Sequence, residues 1–133
     1  MSKTGVTFNR PRNSAETYLQ NCYYIPFDIT LKTDQIDNLK ASGTKETDEL
    51  ITNLQKEISV LRERFAEAKR LIQNCTNNEL YTRLLELRYI NGLSTKSIAS
   101  RVNVCRDYVS RCLGRALRAF DEYCVENKIK LIP

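Results

Sequence analysis

The feature that most constrains this chain is an unbroken apolar seam. Ile51, Leu54, Ile58, Leu61, Phe65, Ala68, Ile72 and Cys75 follow one another at alternating three- and four-residue steps. Only a helix brings positions at that spacing onto one face. Only a long helix keeps the phase for eight positions. Residues 46–75 are therefore expected to form a helix of roughly 45 Å at ~1.5 Å per residue. Its charges, five cations against six anions, mix signs on the outer faces. That mixture suits an element facing protein rather than nucleic acid.

A second stripe precedes it. Tyr18, Cys22, Ile25, Ile29, Ile36 and Leu39 keep the same steps, with Lys32 in the one polar slot. Pro26 interrupts this stripe, and proline inside a helix costs on the order of 3 kcal/mol. The phase survives across Pro26, so one kinked helix or two collinear pieces is expected. Residues 41–45 (ASGTK) read as a loop. Thr44 or Thr47 is placed to cap the next helix, and Glu46, Asp48 and Glu49 suit its positive end. Two stripes joined by a short loop are expected to fold back as a long antiparallel, coiled-coil-like hairpin over residues 14–75. Such a hairpin buries little by itself. Its second flank is expected to pack on the C-terminal helices or on another copy, and a homodimer or higher homo-oligomer is the favoured outcome.

Beyond the hairpin the pattern shortens. Thr76-Asn77-Asn78-Glu79 reads as a capping box with Thr76 at the cap. It opens a helix through Asn91, with Leu80, Leu84, Leu87 and Tyr89 or Ile90 inward. Gly92 is free to take the left-handed conformation that ends a helix. Ser94 is a good cap for another short helix, whose apolar face is Ile98, Ala99 and Val102. Asn103 suits a sharp left-handed corner. A last helix follows, with Val109, Cys112, Leu113, Ala116, Leu117 and Phe120 on one buried stripe. Two helices joined so tightly form the helix-turn-helix pattern, whose second helix enters the major groove by its N-terminal residues.

The outward side of that last helix holds Arg106, Asp107, Ser110, Arg111, Gly114, Arg115 and Arg118. From Lys96 to Arg118 there are six cations and one anion, Asp107, a surplus of +5 that equals the net charge of the whole chain. An ordinary solvated face mixes signs, whereas phosphate neutralisation requires one sign. Arg106, Ser110 and Arg111 are the candidates for base edges, since an arginine there can hold guanine bidentately. Lys96, Arg101, Arg115 and Arg118 are the candidates for phosphates. Asp107 and Tyr108 complete the candidate DNA-binding set. The competing reading is a structural three-helix packing motif with a chance basic face.

The run RYINGLSTKSIASRVNVCRDYVSRCLGRALRAF resembles region 4 of sigma-70-type factors. It is still more similar to small phage and prophage late-gene activators of the RinA and ArpU groups. The likeness covers residues 80–123 well and residues 15–75 as a looser match of helical layout. It implies an all-α fold, a long helical hairpin followed by a sigma region 4-like helix-turn-helix bundle, that acts on promoters. By position, Arg106, Asp107, Ser110 and Arg111 match the start of the family's recognition helix, while Cys105 stands where Ser is usual. The implied partners are double-stranded promoter or operator DNA and host RNA polymerase, and the implied function is sequence-specific regulation, as an activator of late or packaging genes. A small-terminase-like DNA-packaging subunit and a protein–protein interaction module are the alternatives.

The rest of the composition narrows the chemistry. There is no histidine, which removes the commonest general base and metal ligand. Five cysteines, Cys22, Cys75, Cys105, Cys112 and Cys124, show no C-x-x-C spacing, so neither a zinc site nor a disulfide framework is expected. All but Cys105 and Cys124 fall on apolar stripes and read as small buried hydrophobes. No Gly-rich phosphate loop, His-paired nucleophile or carboxylate cluster at metal spacing is visible, so the expectation is no enzyme, no metal and no cofactor. No run approaches a membrane span or a signal peptide's apolar core, so a soluble, intracellular protein is expected; the resemblance implies that this is the cytoplasm of a bacterial host, at its nucleoid. The expected organisation is a disordered basic arm (1–13), an oligomerising hairpin (14–75), a helix-turn-helix domain (76–125) and a tail (126–133).

Overall fold

The structure, a computed structural model, describes Phe8, residues 13–43 and residues 45–131. Of the expected disordered arm over residues 1–13, Lys3, Arg10 and Arg12 lie outside the described residues, as do Thr44 and Ile132, whereas Phe8 is described and packs on Tyr23 and Tyr89. Among the described residues the chain is all-α. The helices are α1 (Ser14–Tyr23), α2 (Ile25–Ser42), α3 (Lys45–Asn74), α4 (Glu79–Leu85), α5 (Thr95–Val102) and α6 (Arg106–Glu126), and α4 runs on as a π turn over Glu86–Ile90.

The long seam forms the long helix: α3 holds 30 residues. Along it Ile58, Ala68 and Ile72 are buried, as is Cys75 just past its end, while Ile51, Leu54, Leu61 and Phe65 are half-buried. The expected loop before it is shorter than residues 41–45. Ala41 and Ser42 still belong to α2 and Lys45 already belongs to α3. Gly43 ends α2 in the left-handed conformation and returns its N–H to the Leu39 carbonyl at 3.4 Å.

Pro26 does not kink a helix interior. The helix stops at Tyr23 and restarts at Ile25, which puts Pro26 in the first turn of α2. There the missing N–H has no carbonyl to serve and the fixed φ suits helix entry. The break also divides the chain. Among the described residues, those up to Tyr23 and from Ala68 onward form one compact unit, and Tyr24–Glu67 form another. The sequence boundary was expected at residue 75. The end of α3 instead joins the larger unit because Ala68, Leu71, Ile72 and Cys75 are all buried there.

In the smaller unit Lys32 Nζ of α2 lies 3.8 Å from Glu57 Oε1 of α3. In the larger unit α6 packs on α4, α5 and α1, and the π turn packs on α1. The core there joins Leu84 and Leu87 to Ile98, Ala99, Val109, Cys112 and Leu113. Phe120 is fully buried and stacks on Tyr18, with centroids 6.4 Å apart. The buried stripe of α6 extends one step past Phe120 to Cys124, so Cys124 is a buried hydrophobe after all. Cys105 is the exposed cysteine, and none of the five is in a disulfide.

The cap of α4 differs from the expected box. Asn78, not Thr76, caps it, its Oδ1 accepting from the Tyr81 N–H at 3.1 Å. Thr76 Oγ1 accepts from the Asn78 N–H at 3.1 Å, which shapes the approach to the cap rather than the cap itself. Gly92 does take the left-handed conformation, φ 71°, and the Leu93 N–H closes back on the Leu87 carbonyl at 2.9 Å. A Cβ at Gly92 would overlap the Tyr23 ring. α6 ends in a similar wrap, with Lys128 at φ 54° and the Ile129 N–H donating to the Cys124 carbonyl at 2.9 Å.

Two outcomes follow from these contacts. Gly92→Ala is expected to lower stability by about 2–3 kcal/mol, the left-handed penalty plus overpacking. Gly43→Ala, with open space around it, should cost only about 1 kcal/mol in urea unfolding. Burial pushes the Cys75 and Cys124 thiols up to about 11 from 9.0. The folded state thus holds those protons where the unfolded chain releases them, so stability is full below pH 9 and falls as pH rises toward 11. Unfolding measured across that alkaline window checks the sign.

Candidate nucleic-acid interface

α5 and α6 present the predicted residues from a short rigid frame. Ser94 caps α5, its hydroxyl accepting from the Ser97 N–H at 3.2 Å. Asn103 ends α5 in the left-handed conformation, φ 60° and ψ 45°. The Val104 N–H then bonds the Ala99 carbonyl at 3.1 Å, and α6 begins at Arg106. Three residues thus turn the chain between the two helices. Ile98 and Ala99 of α5 and Val109, Cys112 and Leu113 of α6 share one core cluster, which fixes one helix against the other.

With its stripe buried, α6 must turn its remaining faces outward. Arg106, Asp107, Tyr108, Ser110, Arg111, Arg115 and Arg118 are all exposed. At about 100° per residue, Asp107, Arg111, Gly114 and Arg118 fall within roughly 60° of one another, opposite the buried stripe. Arg106 with Ser110 flanks them on one side and Arg115 with Tyr108 on the other. Lys96, in the first turn of α5, and Arg101, in its last, are exposed as well. Among the described residues no carboxylate pairs with Arg106, Arg111, Arg115 or Arg118.

Two of the predicted residues have local work. Asp107 sits in the first turn of α6, where a carboxylate offsets the positive helix end. The Tyr108 phenol is raised above its ordinary pKa, first by hydrogen bonding with Cys112, one turn further on in the same helix. Cys105 has the backbone of an N-cap but makes no side-chain cap bond. The first N–H groups of α6 are therefore not capped by the Cys105 side chain.

Arg83 of α4 and Arg88 of the π turn have different settings. Arg83 is exposed. Arg88 is half-buried, donates to the Leu93 carbonyl at 3.0 Å and lies 4.6 Å from the Phe8 ring centroid. Phe8 in turn meets Tyr23 edge-on at 5.0 Å and Tyr89 face-on at 5.7 Å. Arg88 is thus committed to holding the turn that follows the π segment, and sequence spacing carried no sign of that.

The residue that sequence reasoning undervalued is Gly114. It lies mid-helix on the outward face, between Arg111 and Arg115, and a Cβ there would meet nothing within 4 Å. No packing inside the chain requires it, although glycine in a helix interior costs about 0.5–1 kcal/mol relative to alanine.

Among the described residues no group of three or more His, Cys, Asp or Glu side chains is set to hold a metal ion, and no helix is long and apolar enough to cross a membrane. Compared with family models, curated proteins and solved structures, the chain matches none.

Gly114→Ala is expected to raise thermal stability by about 0.5–1 kcal/mol. A loss of stability would mean that the position packs against the chain's own atoms.

Proposed function

We propose that α5 and α6 form a helix-turn-helix that reads double-stranded DNA in the major groove, and that the chain is a transcription regulator. One observation carries the reading. Four arginines spread along the outer faces of α6 are exposed and, among the described residues, pair with no carboxylate. Surface arginines usually find mixed-sign neighbours, and a one-sign face left without counter-ions fits a polyanion. The open first turn of α6 and the bare backbone at Gly114 add to it, since both accommodate a phosphate chain at close range.

In this reading Arg106, Ser110 and Arg111 meet base edges, and Lys96, Arg101, Arg115 and Arg118 meet phosphates. α2 and α3 form the helical hairpin that brings two copies together, so that paired half-sites one helical turn apart are read at once. A contact with RNA polymerase, and activation rather than repression, belong to the same reading and rest on the resemblance to late-gene activators.

The test is anisotropy binding to labelled promoter fragments. Arg111→Ala is expected to cost about 1–3 kcal/mol and to relax preference at one base position. Lys96→Ala should weaken all sequences alike and reduce the salt slope by about 1. Gly114→Ala, though more stable, should bind more weakly. Unchanged affinity in an Arg106→Ala, Arg111→Ala double variant would overturn the proposal.

A further inference from the structure

α3 carries a second row besides its apolar seam. Glu46, Leu50, Asn53, Glu57, Val60 and Arg64 keep the same alternation of four- and three-residue steps, about a quarter turn around the helix. Each of them is exposed. Leu50 and Val60 are open at 51% and 50%, in an otherwise polar row. Single exposed apolar residues need no explanation, but their placement relative to the charges does. Reversed end for end, the row is its own complement. An acid stands at its start and a base at its end, a large aliphatic lies one step in from each, and an amide and a carboxylate flank the centre at Gln55.

We propose that this row is the surface on which two copies of the chain pair, antiparallel, about a two-fold axis at Gln55. Glu46 then faces Arg64 of the partner subunit, and Arg64 faces the partner's Glu46. Leu50 seats against the partner's Val60, and Asn53 amide meets the partner's Glu57. A two-fold contact of this kind repeats every pair twice, as isologous interfaces do. The parallel arrangement puts acid on acid and base on base, which selects against it.

The surface has a place for the incoming side chain. An open groove of ≈ 580 Å³ runs between Asp28 and Lys32 of α2 and Glu57, Val60 and Arg64 of α3. Val60 and Arg64, one helical turn apart, both line it. In the antiparallel register the partner's Leu50 and Glu46 have the same spacing, so the leucine enters the groove as the carboxylate reaches the guanidinium. The row spans roughly 27 Å of helix, and all of it lies within the smaller unit.

This deepens the two-copy part of the proposed function and does not depend on the DNA contact. The test is sedimentation of the full chain at rising concentration, with helicity followed by circular dichroism. The unsubstituted chain should dimerise. Glu46→Lys and Arg64→Glu should each weaken pairing about ten-fold or more, because each replaces two attractions by two repulsions. The double variant Glu46→Lys, Arg64→Glu restores opposite charges in the two-fold pair and should recover pairing. Val60→Glu should lose pairing without touching the charge pairs. A chain that stays monomeric into the millimolar range overturns the proposal. So do single variants that pair as well as the unsubstituted chain, or a helical double variant that fails to recover. A monomer that still binds a duplex half-site would overturn this inference and leave the DNA reading standing.

Discussion

Burial of the α6 stripe sets the rest of the molecule's chemistry. Val109, Cys112, Leu113, Ala116, Phe120 and Cys124 are buried, and each large apolar side chain gains roughly 1.5–3 kcal/mol by being so. Surface ion pairs contribute about 0–1 kcal/mol. The stripe therefore decides how α6 is turned, and the arginines go wherever that rotation leaves them. Because a helix fixes the angle between successive side chains, seating one face aims the other. The cation face of α6 is a consequence of the core, and its rigidity is inherited from the core.

Local devices keep that orientation from slipping. Asn103 accepts a left-handed backbone that costs most residues roughly 1–2 kcal/mol, and Ser94 closes the open start of α5. At the other end of the unit, Gly92 lets the chain pass against Tyr23, while Arg88 ties the following turn to Phe8 and to the Leu93 carbonyl. These contacts link α1 to the π turn, on which α5 also packs. An element read from sequence as part of an N-terminal hairpin thus supports the C-terminal bundle.

Periodic features were legible in the sequence, and features set by competition were not. The seam of α3, the corner at Asn103, the cap at Ser94 and the left-handed Gly92 each follow from a residue type at a fixed spacing. The break at Tyr24 does not, because the apolar phase runs through it and only backbone preference at Pro26 speaks against continuity. The choice of Asn78 over Thr76 as cap depends on which backbone N–H lies within reach, and neighbouring polar residues compete for that role. The division at Glu67 was hidden for a related reason. One seam serves both units, buried from Ala68 onward and half-open at Ile51, Leu54, Leu61 and Phe65. At the candidate site the charges were plain from the sequence. The absence, among the described residues, of carboxylates paired with the α6 arginines, the missing side-chain cap at Cys105 and the empty space at Gly114 required coordinates.

The central claim is that the outer face of α6 meets a phosphate chain, and counterion release measures that directly. The affinity of the full chain for a duplex is followed as salt is raised. If Lys96, Arg101, Arg115 and Arg118 neutralise phosphates, the logarithm of the binding constant should fall with the logarithm of salt at a slope of about −3 to −4 per copy. No duplex binding at low ionic strength, or a slope near zero, would contradict the account.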